Sequence, residues 1–176
     1  KLFTVNRGPD ADGVFLSEDV SISHDRLSII DLSEEANQPM IRNNLVLSFN
    51  GEIYNYKELK KELKESGCKF QTNSDSEVIL ALFEKHNIES FKKLRGIFAI
   101  CIWDKYLKKL YLIRDVVGVK PIYYFLDESQ NLFFSSSIRS ILISHKNQKI
   151  NHEALNYYRN FGRNDLKETI FKDIFK

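Results

Sequence analysis

Between Leu45 and Leu63 the apolar residues change period, and that change limits the fold more than any other feature of the 176-residue chain. Leu45, Leu47 and Phe49 alternate with smaller residues, the two-residue repeat of a half-buried strand. From Asn55 the repeat turns helical. Tyr56, Leu59 and Leu63 fall on one face, lysines and glutamates cover the other, and Gly67 follows where a helix end favours a left-handed residue. A strand leading into an amphipathic helix buries both apolar faces best in a layered sheet-and-helix fold. The junction is the stretch FNGEIYNY, residues 49–56.

The rest of the chain extends this pattern. Ser74-Asp75-Ser76-Glu77 has the spacing of a capping box ahead of Val78, Ile79, Leu82 and Phe83, which predicts a second helix. Cys68–Thr72 reads as a short strand between the two helices, and residues 89–95 as a further helical piece. IFAICIWD, KLYLIRD, PIYYFL and NLFFSS then read as short strands with tight connections, for which an antiparallel meander is the natural pairing. Residues 138–143 and 153–161 are again helical in pattern. RGPDADG (7–13) reads as a loop with tight turns, and LSIIDLS (27–33) as a buried apolar strand that Arg26 precedes. Strands and helices come in blocks, which points to an α+β fold of antiparallel sheets layered with helices.

Composition narrows the function classes. With 43% hydrophobic and 28% charged residues the chain is expected to fold, and a formal net charge of +2 demands neither nucleic acid nor an anionic membrane as partner. The longest apolar run, Ile97–Trp103, is far short of the ~20 residues that cross a bilayer. No signal peptide is legible. Cys68 and Cys101 form no C-x-x-C pair, which fits a reducing, cytoplasmic compartment. His24, His86, His145 and His152 are not spaced as metal ligands. Cys101 lies in an apolar run and Cys68 has no histidine within several residues, so neither is expected to be a nucleophile.

Three places could carry chemistry. Asn50 and Gly51, at a strand end, offer a side-chain amide and a backbone N–H to one oxygen, as an oxyanion hole requires, although Asn-Gly is equally a simple turn. Asp75, at the positive end of a helix, can cap that helix or hold an ammonium group. Arg26 can grip a carboxylate with its planar fork, or stand exposed beside Asp25.

Four separated motifs, RGPDADG (7–13), RLSIIDLS (26–33), FNGEIYNY (49–56) with SDSEVIL (74–80), and RDVVGVKPIYY (114–124), together resemble the glutamine-hydrolysing domain of glutamine-dependent asparagine synthetases. These are class II amidotransferases of the N-terminal-nucleophile type. The resemblance implies an α-β-β-α sandwich of two antiparallel sheets between helical layers. It implies that Arg26 holds the glutamine α-carboxylate and Asp75 its α-ammonium with Glu52 assisting, that the backbone at Leu27, Ile29 and Ile30 lines the pocket, and that Asn50 and Gly51 stabilise the oxyanion. RDVVGVKPIYY is expected to carry structure, with Arg114 and Asp115 pairing locally. Asp25 after His24 and Ser137 before Ile138 depart from the family pattern.

The family's nucleophile is a cysteine at the mature N-terminus, and none stands ahead of RGPD here. The chain is therefore expected to be an excerpt: residues 1–150 an N-terminally incomplete glutaminase domain, residues 151–176 the lead toward an absent synthetase domain. L-glutamine and that synthetase domain are the expected partners, and a homodimer is compatible with them. No cofactor or metal is expected in this domain, ATP and magnesium belonging to the synthetase part. Two alternatives stand beside this reading. One is a glutamine-sensing or partner-binding module that has lost its nucleophile; the other is a sister amidotransferase acting on a different carboxylate acceptor.

Overall fold

The alternation at Leu45, Leu47 and Phe49 forms a strand that runs on through the glycine to Ile53, in a computed structural model that describes residues 4–144 and 149–176. The chain divides into two units, the first ending at Lys120 and the second spanning Pro121–Lys176. In the first unit, β1 (Ala11–Leu16) and β2 (Ser21–Arg26) make an antiparallel hairpin. β3 (Met40–Arg42), β4 (Leu45–Ile53), β5 (Gly96–Asp104) and β6 (Lys109–Arg114) make an antiparallel sheet in that spatial order. α1 (Tyr56–Glu65) and α2 (Asp75–His86) complete the unit.

One face of the four-stranded sheet carries Leu45, Leu47, Phe49, Ile53, Phe98, Ile100 and Ile102, all buried with Leu59 and Leu63 of α1 and Val78, Ile79, Leu82 and Phe83 of α2. α2 is buried on every side from Asp75 to Phe83, as befits a helix apolar around most of its surface. β2 reaches the opposite face of the sheet, where His24 Nδ1 lies 2.9 Å from Ser48 Oγ. The layers of this unit are helices, sheet and hairpin.

Gly51 is fixed by the contact between β4 and β5. It pairs with Phe98, and a Cβ at this position would stand 2.1 Å from the Ile97 carbonyl oxygen. Its φ of +153° is a conformation that side-chain-bearing residues rarely adopt.

Several expectations are corrected. Ala11–Gly13 is strand, not loop, because it pairs with His24–Arg26 of β2. Residues 27–33 are loop, not a buried strand: Leu27, Ile29 and Leu32 are 54%, 71% and 78% exposed. Side chains take the backbone groups that a ladder would use there. Arg26 binds the Asp31 and Ser33 carbonyls, and Asp10 and Asp31 accept the Ser28 and Ser33 N–H groups.

Cys68–Thr72 forms no strand for a similar reason. The N–H groups of Gln71 and Thr72 go to the Glu77 carboxylate, and the Lys69 carbonyl accepts from Arg42. That use of Glu77 leaves the capping box half made: Ser74 accepts from the Ser76 N–H, while Glu77 serves Gln71 and Thr72 instead of reaching back to Ser74. Residues Asn87–Lys93 are a 3₁₀ turn that follows α2 directly.

The meander is interrupted. β6 pairs only with β5, and β7 (Tyr123–Leu126) and β8 (Leu132–Ser135) form a separate hairpin in the second unit. That unit adds α3 (Ile138–Ser144) and α4 (His152–Phe161) around a small core of Phe125, Ile141 and Ile174. The bridges Tyr124–Phe175 and Ile150–Phe171 tie its two ends together, so the sequence division between residues 150 and 151 falls inside it. His145 lies outside the described residues.

Glu77 is the polar anchor beneath α2. Its carboxylate accepts from Gln71 N, Thr72 N (2.7 Å) and Thr72 Oγ1 (2.8 Å), and it lies 3.3 Å from Arg42 Nη1. Glu77→Ala strands all these donors at a buried position and is expected to lower the unfolding free energy by about 3 kcal/mol, read from urea denaturation.

Candidate functional site

The site begins at an open sheet edge. β3 stops opposite Leu47, so from Phe49 onward β4 has no neighbouring strand on that side among the described residues. Phe98 directs both its backbone groups to Asp115: Asp115 N donates to the Phe98 carbonyl (2.8 Å), and Phe98 N donates to Asp115 Oδ2 (3.2 Å). Phe98 therefore faces away from β4, and its partner Gly51 faces away from β5. The same alternation sends the backbone groups of Phe49, Gly51 and Ile53 out of the open edge.

Two of these three residues are capped. Gln38 Oε1 accepts the Phe49 N–H (2.6 Å) while Gln38 Nε2 donates to the Phe49 carbonyl (3.2 Å), and Asp75 Oδ2 accepts the Ile53 N–H (3.1 Å). Gly51, between them, has no partner among the described residues. The adjacent Asn50 side chain is half-buried and its amide is likewise unbonded among the described residues. A free backbone N–H and a free side-chain amide thus stand on consecutive residues.

Arg26 ends β2 and is 7% exposed. Nη1 donates to the Ser33 carbonyl (3.0 Å) and to Asn37 Oδ1 (2.7 Å), and Nη2 donates to the Asp31 carbonyl. These acceptors are all neutral, so the cation is buried with no carboxylate at ion-pair distance among the described residues, and with N–H groups still unused. The exposed arginine weighed from sequence is excluded. Asp25, its neighbour, instead accepts from the Thr4 hydroxyl.

Asp75, the first residue of α2, is the counterpart. It is 5% exposed and has no cation at ion-pair distance among the described residues. Burial pushes its carboxyl up to about 6, against the N–H groups of Ile53 and Ser76, and the exposed Glu52 nearby pushes in the same direction. Leu27, Ile29 and Ile30 lie in the loop that follows Arg26. That loop is joined to the approach to α2 by Asp31, whose Oδ1 accepts from Ser33 N (2.9 Å) and Oδ2 from Asn73 N (2.7 Å). These bonds, with the Ser33 N–H foremost, hold the Asp31 carboxyl below its usual range.

Other ionisable groups are committed to structure. His24 is driven down to about 4 by burial, so it is neutral at physiological pH. Burial raises the Cys101 thiol to about 12. Arg114 and Asp115 do not pair as expected, because Asp115 accepts the N–H groups of Phe98, Val119 and Lys120. Burial acts to raise the Asp115 carboxyl, and these N–H groups together prevail and lower it. Gln38, Asp31 and Asn73 were not selected from sequence. Only Asp31 carried a signal, the Asp-x-Ser spacing of an Asx turn.

The whole arrangement belongs to a known class: the family described as glutamine amidotransferase domain matches residues 3–176, and the chain is a member of it. Asparagine synthetases are among its relatives within that family. Asparagine synthetase [glutamine-hydrolyzing] 1 of Bacillus subtilis is 43% identical over 159 residues, which are 89% of this chain and 25% of the relative. Asparagine synthetase B [glutamine-hydrolyzing] of Escherichia coli is 39% identical over 140 residues, 78% of this chain and 25% of the relative. Among solved structures, the glutamine phosphoribosylpyrophosphate amidotransferase of B. subtilis matches with a TM-score of 0.54 and 26% identity, over 65% of this chain and 26% of that one. The chain thus has the α+β, N-terminal-nucleophile hydrolase-like fold expected from its motifs, and spans about a quarter of the length of these relatives. No helix among the described residues is long and apolar enough to cross a membrane.

Asp75 gives a sign-defined test. Its folded carboxyl binds a proton more tightly than the unfolded one, so stability falls as pH rises from 3.8 through about 6 and the penalty is complete above that. Asp75→Asn removes the buried charge and is expected to stabilise the chain at neutral pH by about 2 kcal/mol, with the gain vanishing near pH 4 in urea titrations.

Proposed function

We propose that this domain binds L-glutamine and supplies ammonia to an asparagine synthetase-like ligase, releasing glutamate. The observation that carries the reading is a pair of buried charges of opposite sign without direct ion pairs: among the described residues Arg26 has no anion and Asp75 no cation at ion-pair distance. A free amino acid carries both missing partners. Its α-carboxylate would take the unused N–H groups of Arg26, and its α-ammonium would sit at Asp75 with Glu52 beside it. The main chain at Leu27, Ile29 and Ile30 would line the wall between them.

The two free donors suit the next step. A thiolate attacking the glutamine side-chain amide turns its carbonyl oxygen into an oxyanion. Asn50 Nδ2 and Gly51 N–H would stabilise that charge before ammonia leaves and water releases glutamate from the thioester. The thiolate would come from the cysteine that the family places at its mature N-terminus. No metal or cofactor is needed for this step, and ATP with magnesium would act only in the synthetase part. That part would receive the ammonia at an activated carboxylate, within a reducing cytoplasm.

The full-length protein tests both halves of the site. Asp75→Ala is expected to weaken glutamine-dependent turnover at least tenfold while leaving ammonia-dependent turnover within about twofold; equal loss with both nitrogen donors would refute the assignment. Asn50→Ala is expected to lower kcat for glutamine hydrolysis roughly 10²–10³-fold with little change in KM, as removal of an oxyanion donor does.

A further inference from the structure

We propose that Asp31 is a positioning residue for glutamine, a latch that fixes the distance between the carboxylate-binding and ammonium-binding ends of the pocket. The inference rests on the glutamine-binding reading above.

Arg26 and Asp75 belong to different layers, one at the end of the hairpin and the other at the start of a helix. Their spacing depends on the segments that lead away from each. The segment before Asp75 is rigidly held to the helices. Glu77 of α2 takes the Gln71 and Thr72 N–H groups, and Lys60 of α1 donates to the Thr72 carbonyl (2.6 Å) and to Asn73 Oδ1 (3.0 Å). The loop after Arg26 has no such anchorage in a core, since Leu27, Ile29 and Leu32 are exposed. Polar ties hold its exposed stretch.

Asp31 makes the tie that spans the gap. Its main-chain carbonyl accepts from Arg26 Nη2, and its carboxylate accepts from Asn73 N, two residues before Asp75. The other carboxylate oxygen closes its own turn on Ser33 N, whose carbonyl again binds Arg26. One residue thereby joins the cation of the pocket to the backbone that presents its anion. The Asp31 side chain is not among the groups assigned to glutamine, so its loss alters the spacing of the binding groups and removes none of them. A substrate held at both ends is sensitive to such a shift, because an error of about 1 Å in placement can lower rates by orders of magnitude.

The test uses glutamine hydrolysis by the full-length protein. Asp31→Ala is expected to raise KM for glutamine at least tenfold with kcat within about threefold, while ammonia-dependent turnover is unchanged. Asp31→Asn, which keeps one carbonyl acceptor, should fall between wild type and Asp31→Ala. Because Asp31 stays ionised where Asp75 titrates, the pH midpoint of glutamine KM, near that of Asp75, should be the same in wild type and Asp31→Asn. An unchanged KM in Asp31→Ala, beside normal glutamine use by wild type, would overturn the latch and leave the glutamine reading intact. Parallel loss of glutamine- and ammonia-dependent turnover with a lowered melting temperature would overturn it in favour of a role in folding. Failure of wild type itself to use glutamine would remove both readings together.

Discussion

The close approach of β4 to β5 at Gly51 is the constraint from which the site follows. The Ile97 carbonyl oxygen occupies the space a Cβ would need, so the two strands can pair along their full length only with glycine here. Pairing in that register turns the Gly51 N–H away from β5, toward an edge where β3 has already stopped. A residue in the middle of a strand is thereby left with a donor that has no partner among the described residues. Such a donor normally weakens a sheet, which is why fewer than about one in ten buried N–H groups lacks a partner. Here the surrounding pairs hold the strand in place while the donor is left unpaired among the described residues.

A second tension concerns charge. Burying Asp75 without a cation raises its carboxyl to about 6, and burying Arg26 among neutral acceptors leaves its charge only partly solvated. Either residue alone would read as a defect in a structural core, where buried charges are paired. Together they are complementary to a zwitterion. The same desolvation that strains these two charges would strengthen each contact with a ligand that supplied both counter-charges, so the strain and the proposed selectivity for a free amino acid would have one cause.

The legible parts of the fold were those with strong periodicity or punctuation. α1, with Leu59 and Leu63 on its buried stripe and Gly67 at φ +91°, was readable residue by residue, as was the start of α2 at Ser74. The apolar runs of β5 to β8 form strands as expected, but two other expected strands do not form. LSIIDLS is apolar yet lies in a loop, because Arg26, Asp10 and Asp31 bind its backbone and no periodicity reports such bonds. Cys68–Thr72 failed likewise through Glu77. For the site, Asn50, Gly51, Arg26 and Asp75 were each ambiguous alone, and only the co-occurrence of four motifs made them one pocket. Gln38 and Asn73 were invisible because their roles lie in capping a sheet edge and in donating a main-chain N–H, neither of which constrains residue type strongly.

The edge itself explains why those silent residues matter. An unpaired strand edge invites pairing with another chain, and proteins usually blunt it with charge, proline or a covering element. β4 is blunted by two side chains, Gln38 at Phe49 and Asp75 at Ile53, each reproducing a bond that a neighbouring strand would have made. A continuous neighbour would also have covered Gly51. Caps placed on Phe49 and Ile53 leave a gap one outward-facing residue wide between them, at Gly51. Edge protection and the proposed oxyanion recognition would in this way share one arrangement. Asp75 belongs to both, since the carboxylate that caps Ile53 is the one left without a cation.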